Sequence, residues 1–224
     1  MKRAFSVIAV LVFAVALLGA GSRPDVKDVD LDELLKKWKQ SDNWVLVVHT
    51  TTDGMYDKGD YCVVNEVEVI ERNGNVTKKT HSIASSQDGH TTEYQTIYLN
   101  EYDGKNVTQY NYRKQAGEKQ WDTSFVTPNP YTGEAHKMHT LEKFFDNWIT
   151  PTIWYNIENN ARTMREVGGV YHFWGIEDLN ETWKWLATQL GNEYKPMYAP
   201  PLYQTFTYTL TFGNAKTQKP LNPS

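Results

Sequence analysis

One stretch, residues 61–125, constrains the fold more than any other part of the chain. In it, short runs rich in Val, Ile, Thr, Tyr and Trp, which pack well on a pleated surface, alternate with turn signals. Asn73-Gly74 is the clearest signal, because Asn-Gly pairs adopt the positive φ angles that tight hairpins need. The later signals are Asp88-Gly89, Asp103-Gly104 and Ala116-Gly117-Glu118. The pattern predicts an antiparallel meander whose last strand covers residues 120–126.

The residues before the meander predict one helix and one strand. Residues 28–38 begin with acids and end with lysines, the charge order that complements a helix dipole, and their apolar side chains recur at helical spacing. Residues 44–50 form an apolar run that predicts the first strand. We expect the chain to leave this strand through Asp53-Gly54 and enter the meander.

The residues after the meander predict helices mixed with strands. Residues 127–133 are a predicted loop, since they contain two prolines. Apolar spacing predicts a helix at 141–149 and a second short helix at 153–157. Gly168-Gly169 predicts a hairpin between 161–167 and 170–176, and Asp178 with Glu181 predicts a capped helix at 179–190.

The C-terminal run 203–212 alternates strictly between polar and apolar residues, which predicts a half-buried strand that closes the sheet. Together these elements predict an α+β fold with an antiparallel sheet packed on several short helices.

The first residues have the three parts of a secretory signal peptide: Lys2 and Arg3, an apolar run, and small residues at 19–22. We expect residues 1–21 to be this peptide and 22–224 to form a single exported α+β domain. An uncleaved anchor is the alternative, because the run approaches the roughly 20 residues that span a bilayer. The expected location is the periplasm, the extracellular space or the outer face of the cell membrane.

Charge and motifs narrow the function. The formal net charge of −4 argues against a nucleic-acid partner, and the single Cys62 excludes an internal disulfide. The chain contains no Gly-x-Ser-x-Gly elbow, P-loop or dinucleotide fingerprint, so we predict no catalytic residue and no cofactor. A secreted hydrolase whose residues meet only in three dimensions stays a lesser alternative.

Two further motifs have simple interpretations. His136, His139 and Glu142 do not have the spacing of a metalloprotease helix, so we interpret them as a solvated helix start and predict no metal site. Three Asn-x-Thr sequons near predicted turns or a helix start are candidate glycosylation sites: Asn75, Asn106 and Asn180.

Aromatic residues make up 13% of the chain, and in the meander they occur on both strand faces. A sheet that is apolar on both faces needs two covers, or one cover and one cavity. The candidate lining of such a cavity is Tyr110, Tyr112, Trp121, Phe125, Phe145, Trp148 and Trp154.

The order of these elements, from the helix ending in Trp38 to a closing strand followed by Pro220 and Pro223, resembles the LolA-like carriers of lipoproteins and lipids. The resemblance implies a strongly curved sheet, an incomplete barrel, with helices on its concave side and an acyl chain between them. The chain departs from the family at the predicted helix 179–190, it lacks the lipobox Cys of the anchored relatives, and it offers no match for the Arg at the mouth of the bacterial carrier's cavity.

We therefore expect an exported binding protein that holds a hydrophobic ligand, a lipid or a lipidated partner, between the sheet and its covering helices. A membrane surface or an envelope protein would be its further partner. The alternative is a cell-surface or envelope interaction module in which the aromatic residues only fill the core.

Overall fold

The computed structural model describes residues 26–55, 61–87, 90–103, 107–122, 129–131, 149, 152–189 and 202–220. These residues form ten strands and three α-helices. The strands are β1 (Val26–Lys27), β2 (Asn43–Met55), β3 (Tyr61–Asn73), β4 (Val76–Gln87), β5 (His90–Tyr102), β6 (Val107–Gln115), β7 (Asn129–Tyr131), β8 (Ala161–Val167), β9 (Val170–Asp178) and β10 (Tyr203–Phe212). The helices are α1 (Leu31–Gln40), α2 (Tyr155–Asn159) and α3 (Leu179–Gln189).

All ten strands belong to one antiparallel sheet, in the order β1-β8-β9-β10-β2-β3-β4-β5-β6-β7. Strands β2 to β6 pair in chain order, which confirms the predicted meander through β6. Strand β10 lies between β9 and β2 and joins the β8–β9 hairpin to the meander. The predicted α+β class with an antiparallel sheet is confirmed.

Glycines form the tight turns that the sequence indicated. Gly74 has a φ of 56° between β3 and β4, and its N–H donates to the Asp42 carbonyl at 2.7 Å. Gly168 and Gly169 have φ angles of 60° and 82° between β8 and β9. Such angles suit Gly, which has no Cβ to clash with the backbone. The turn residues 88–89 and 104–106 lie outside the described residues.

The predicted exit from the first strand at Asp53-Gly54 is wrong, because β2 continues to Met55. Gly54 pairs with Cys62 of β3, and a Cβ placed on it would lie 2.2 Å from Leu202 Cδ1. The glycine therefore admits a buried side chain from the segment before β10, and it makes no turn.

The predicted loop 127–133 is also wrong in part, because it contains the short strand β7. Pro130 of β7 pairs with Thr108 of β6. Because β7 is the edge strand of the sheet, the N–H that proline lacks is not needed for a hydrogen bond between two inner strands. Of the predicted strand 120–126, only residues up to 122 are described. There the Asp122 N–H donates to the Arg113 carbonyl at 2.8 Å as a single bridge.

Helix α1 keeps the predicted charge order, but it covers Leu31–Gln40 and not residues 28–38. The Asp30 side chain accepts a hydrogen bond from the Glu33 N–H at 3.0 Å, so it satisfies one free donor of the first turn. Lys37 and Lys39 occupy the last turn, where cations favour the helix dipole. Leu34 and Trp38 point into the core.

Helices α2 and α3 follow the predicted positions within a few residues. A π-helical turn at 152–154 precedes α2, and Ile153, Trp154 and Ile157 are buried as the apolar spacing indicated. Before α3, the Asp178 carboxylate accepts from the Asn180 N–H at 2.9 Å, one residue earlier than the predicted capping box requires. Of the predicted helix 141–149, only Ile149 is described, and it is fully buried.

One cluster of buried apolar residues lies on the face of the sheet that we call the helix-bearing face. Trp44, Leu46 and Val48 of β2 point to it and join α1 and the α2 segment in one cluster. The Trp38 ring lies 5.5 Å from the Trp44 ring at 90° and 6.3 Å from the Trp154 ring at 67°. Edge-to-face packing of this kind is favourable for aromatic rings.

Residues of alternate parity point to the other side of the sheet, which we call the opposite face. The C-terminal tail, residues 214–220, crosses this face. The Lys216 N–H donates to Glu71 Oε1 at 2.7 Å, and Lys78 Nζ donates to the Lys216 carbonyl at 3.1 Å. Lys219 Nζ lies 3.8 Å from the centroid of the Tyr110 ring. The tail thus covers part of β3 to β6.

Candidate functional site

The predicted cavity residues that the structure describes lie in three places. Trp154 belongs to the core on the helix-bearing face. Tyr110 and Tyr112 point to the opposite face, where they pair with Leu99 and Ile97 and where the tail crosses. Trp121 follows β6, and Lys114 Nζ lies 5.0 Å from the centroid of its ring. Phe125, Phe145 and Trp148 lie outside the described residues, so a cavity lined by the full set stays a prediction.

The helix-bearing face changes character beyond β2, from apolar to charged. Glu68 of β3 pairs with Val48, and the next strand brings Lys79 Nζ to 2.5 Å from Glu68 Oε1. The Lys79 and Glu68 side chains are only 20% and 18% exposed. Charged groups are seldom this buried unless they are paired, because leaving water costs free energy.

His81 continues the charged region along β4. Its Nε2 lies 3.8 Å from Glu68 Oε1 and 3.9 Å from Glu66 Oε2, beyond hydrogen-bond distance of either carboxylate. Its ring meets the Tyr94 ring edge-on, with centroids 6.4 Å apart. Arg113 Cζ lies 5.5 Å from the Tyr94 centroid, so the region reaches the exposed end of the row on β6. We call these side chains the half-buried row: Glu66, Glu68, Lys79, His81, Tyr94 and Arg113.

A second polar group lies inside the core on the other side of β2. Asn156 of α2 donates from Nδ2 to Glu177 Oε2 and, at 3.1 Å, to the Tyr208 hydroxyl. Asn160 Nδ2 donates to Asn156 Oδ1 at 2.7 Å. We call these four side chains, Asn156, Asn160, Glu177 and Tyr208, the buried cluster.

Burial dominates the electrostatics of this cluster. Glu177 is 4% exposed, and burial raises its pKa from 4.5 to about 7, although the hydrogen bond from Asn156 acts in the opposite direction. Burial and the nearby Glu177 charge also raise the pKa of Tyr208. A carboxyl group that keeps its proton near neutral pH is a common feature of functional sites.

The two polar groups are neighbours across β2. Tyr208 pairs with Val48, and Val48 pairs with Glu68, so one cross-strand row joins them. The Glu68 charge contributes to the raised pKa of Tyr208, which is consistent with this proximity. The half-buried row and the buried cluster together form one polar tract on the helix-bearing face.

Two atoms of the helix-bearing face have no hydrogen-bond partner among the described residues although they are buried: His81 Nε2 and Asn111 Oδ1. Asn111 points to this face because it pairs with Tyr98, which pairs with Lys79. An unsatisfied buried polar atom costs about 1–3 kcal/mol, which a ligand group could recover by bonding to it.

The candidate sequons differ in exposure. Asn75 is exposed in the turn between β3 and β4, whereas Asn180 is half-buried in the first turn of α3 and its sequon partner Thr182 is buried. Asn106 lies outside the described residues, as do His136, His139 and Glu142. Within the described part of the chain, no group of three or more His, Cys, Asp or Glu side chains is arranged to hold a metal ion.

No family model, curated protein or solved structure matches this chain. The described helices include none that is long and apolar enough to cross a membrane.

Proposed function

We propose that this protein is an exported carrier that binds an amphiphilic molecule, a lipid or a lipidated partner, on the helix-bearing face. The sheet would curve into an incomplete barrel of the LolA-like kind, and the helices would cover its concave side. The apolar part of the ligand would pack beside the Trp38–Trp44–Trp154 core, and its polar group would meet the polar tract.

One observation carries this proposal: a single sheet face places an apolar core beside half-buried charges. Lys79 and Glu68 are about four-fifths buried, and His81 Nε2 lies in the same row without a hydrogen bond. A scaffold gains little from such groups, because replacing buried ion pairs with apolar residues is often neutral or stabilising. Their presence is explained if a polar ligand group bonds to them.

The energetics suit an amphiphile. Each Å² of apolar ligand surface removed from water would contribute about 25 cal/mol, so an acyl chain could supply most of the affinity. The polar group would then fix orientation, as a few polar groups do in mostly apolar pockets. Hydrogen bonds to already buried atoms such as Asn111 Oδ1 add affinity, because their cost of desolvation is paid before the ligand arrives.

A direct test begins with the purified protein. Its organic extract, examined by mass spectrometry, should contain a co-purified lipid, and the delipidated protein should bind a dansyl-labelled fatty acid. A protein that yields no lipid and takes up no fatty acid would refute the carrier function and favour the interaction module without a cavity.

The variant Asn111→Leu separates binding from stability. It removes a buried oxygen that has no hydrogen bond, so the free energy of unfolding should stay the same or rise. Affinity for the labelled fatty acid should fall about tenfold, the value of one hydrogen bond. The matched control is Asn65→Leu, since Asn65 is exposed on the opposite face and accepts from Thr51 Oγ1. Unchanged affinity in Asn111→Leu would remove Asn111 from the site.

A further inference from the structure

The opposite face of the sheet carries two large aromatic side chains that remain in contact with solvent. Trp174 of β9 is 41% exposed and Tyr203 of β10 is 56% exposed, the exposed large hydrophobic residues of the described part of the chain. The two residues lie on adjacent strands, because β9 pairs with β10. Single exposed hydrophobic residues are common on protein surfaces, whereas two on the same surface are more typical of a binding site.

A column of threonines runs beside these rings. Thr205, Thr207, Thr209 and Thr211 alternate along β10 with the buried residues Phe206, Tyr208 and Leu210, so the threonines point to the opposite face. Thr205 and Thr207 are exposed. Hydroxyl groups both donate and accept hydrogen bonds, and Thr205 Oγ1, which donates to the Thr51 carbonyl at 3.4 Å, can still accept one, so this column offers evenly spaced partners for a polar ligand.

The register places the aromatic rings along this column. Thr207 pairs with Trp174 on one side and with His49 on the other, and Tyr203 starts the strand four residues earlier. With about 3.4 Å per residue and 4.8 Å between strands, the two aromatic residues are roughly 14 Å apart. Thr205 and its β9 partner Ile176 lie between them, and Thr51 lies beside Thr205 on β2. This spacing suits an extended chain lying along the strands better than a single small molecule.

The charge of the surface narrows the ligand class. Its centre consists of hydroxyl, aromatic and apolar groups, the last from Ile176 beside Thr205, and charged side chains stand at its margins, Arg165 beside His172 on one side and Asp178 beside Tyr203 on the other. Burial, with the Arg165 charge, lowers the pKa of His172, which favours a neutral imidazole. The described side chains of this surface include no cluster of cations, which a phosphate or nucleic-acid ligand needs.

We propose that the aromatic–threonine surface, formed by Trp174, Tyr203, Thr205, Thr207, Thr51 and His49, binds a neutral glycan chain. The C–H faces of the sugar rings would stack on Trp174 and Tyr203, and the sugar hydroxyls would bond to the threonines. This proposal does not depend on the ligand of the helix-bearing face, because the two surfaces lie on opposite sides of the sheet.

Affinity electrophoresis of the purified protein provides the test, in gels that contain hydroxyethylcellulose, dextran or galactomannan as neutral polymers and heparin as an anionic one. At least one neutral polymer should retard the protein, and heparin should not. Trp174→Ala and Tyr203→Ala should each weaken the retardation about tenfold, whereas Trp174→Tyr should keep most of it.

Trp121→Ala is the matched control, because Trp121 lies beside Lys114 after β6, away from this surface. It should bind like the unmodified protein. Unfolding midpoints of the Trp174 and Tyr203 variants should be close to that of the unmodified protein, since both side chains are substantially exposed. Retardation by none of the neutral polymers, by heparin alone, or equally in all variants would overturn the proposal. So would self-association that Trp174→Ala abolishes, because the surface would then join two copies of the chain.

Discussion

The buried carboxyl of Glu177 predicts a pH-dependent stability that one substitution should remove. Its pKa is about 7 in the folded protein and 4.5 for the ordinary side chain, and burial is the main cause. At about 1.4 kcal/mol per pKa unit, this difference corresponds to about 3 kcal/mol. That is a large fraction of the roughly 5–15 kcal/mol that stabilises a typical domain.

The sign follows from which state releases its proton first. Below about pH 4.5 the carboxyl is protonated in both states, so burying it imposes no ionic cost. Between about pH 4.5 and 7 the unfolded chain releases the proton while the folded protein keeps it, so the free energy of unfolding falls as the pH rises. Above about pH 7 the Glu177 carboxyl is ionised in both states, and the free energy of unfolding falls no further.

Glu177→Gln should abolish this loss and keep the local bonding. The amide oxygen can still accept the hydrogen bond that Asn156 Nδ2 donates to the carboxylate, and no proton can be released. We expect the variant to be about 2–3 kcal/mol more stable than the unmodified protein at about pH 8 and nearly equal at about pH 4. Urea denaturation, followed by tryptophan fluorescence at both pH values, measures this difference.

Glu158→Gln provides the control, because Glu158 is exposed on the same helix as Asn156 and the substitution removes the same kind of charge. Its effect should stay within about 0.5 kcal/mol at both pH values. An equal change of stability at the two pH values in Glu177→Gln, or no gain at the higher one, would show that the carboxyl is ionised and well solvated in the folded protein.

Two further substitutions test the backbone. Gly175→Ala should lower the free energy of unfolding by about 3 kcal/mol or more, measured by urea denaturation, because its Cβ would lie 2.2 Å from the Asn160 carbonyl oxygen and 2.4 Å from Phe206 Cζ; a loss below about 0.5 kcal/mol would contradict this packing. Asp30→Ala should cost about 1 kcal/mol and lower the melting temperature by a few degrees, since the N–H of Glu33 loses its acceptor; an unchanged melting temperature would show that the cap contributes nothing.

Local signals were sufficient for much of the sheet. Asn73-Gly74 identified the β3–β4 hairpin, and the alternation of 203–212 gave β10 its bounds and its buried side. The place of β10 in the sheet was not visible, because its pairing with β2 joins residues more than a hundred positions apart. Nothing local encodes a pairing at that separation, since it depends on which apolar faces can be buried together.

Part of the polar tract could have been found in the sequence. A two-residue turn at Asn73-Gly74 would have paired Glu68 with Lys79, two residues away from the observed register, in which Gly74 and Asn75 form the turn and Glu68 pairs with His81. Their shared face follows from parity. That this face also bears the helices could not be inferred, because it depends on β2 and on the packing of α1 and α2. For the same reason the sequence predicts one cavity lining for Tyr110, Tyr112 and Trp154, although the two tyrosines and the tryptophan lie on opposite faces of the sheet.

Several buried polar groups argue for a ligand on the helix-bearing face, whereas the buried ion pair of the opposite face, Lys78 with Glu71, is satisfied by the tail. The buried carboxyl of Glu177, the half-buried ion pair of Lys79 and Glu68, and the unsatisfied atoms of His81 and Asn111 all lie on the helix-bearing face. Sequences that specify a fold satisfy such groups, and exceptions concentrate at functional sites. The Glu177→Gln variant decides between the two readings of these buried groups. If it is more stable yet binds the labelled fatty acid more weakly, the carboxyl serves the ligand; if binding is unchanged, the buried cluster is structural and the site is confined to the half-buried row.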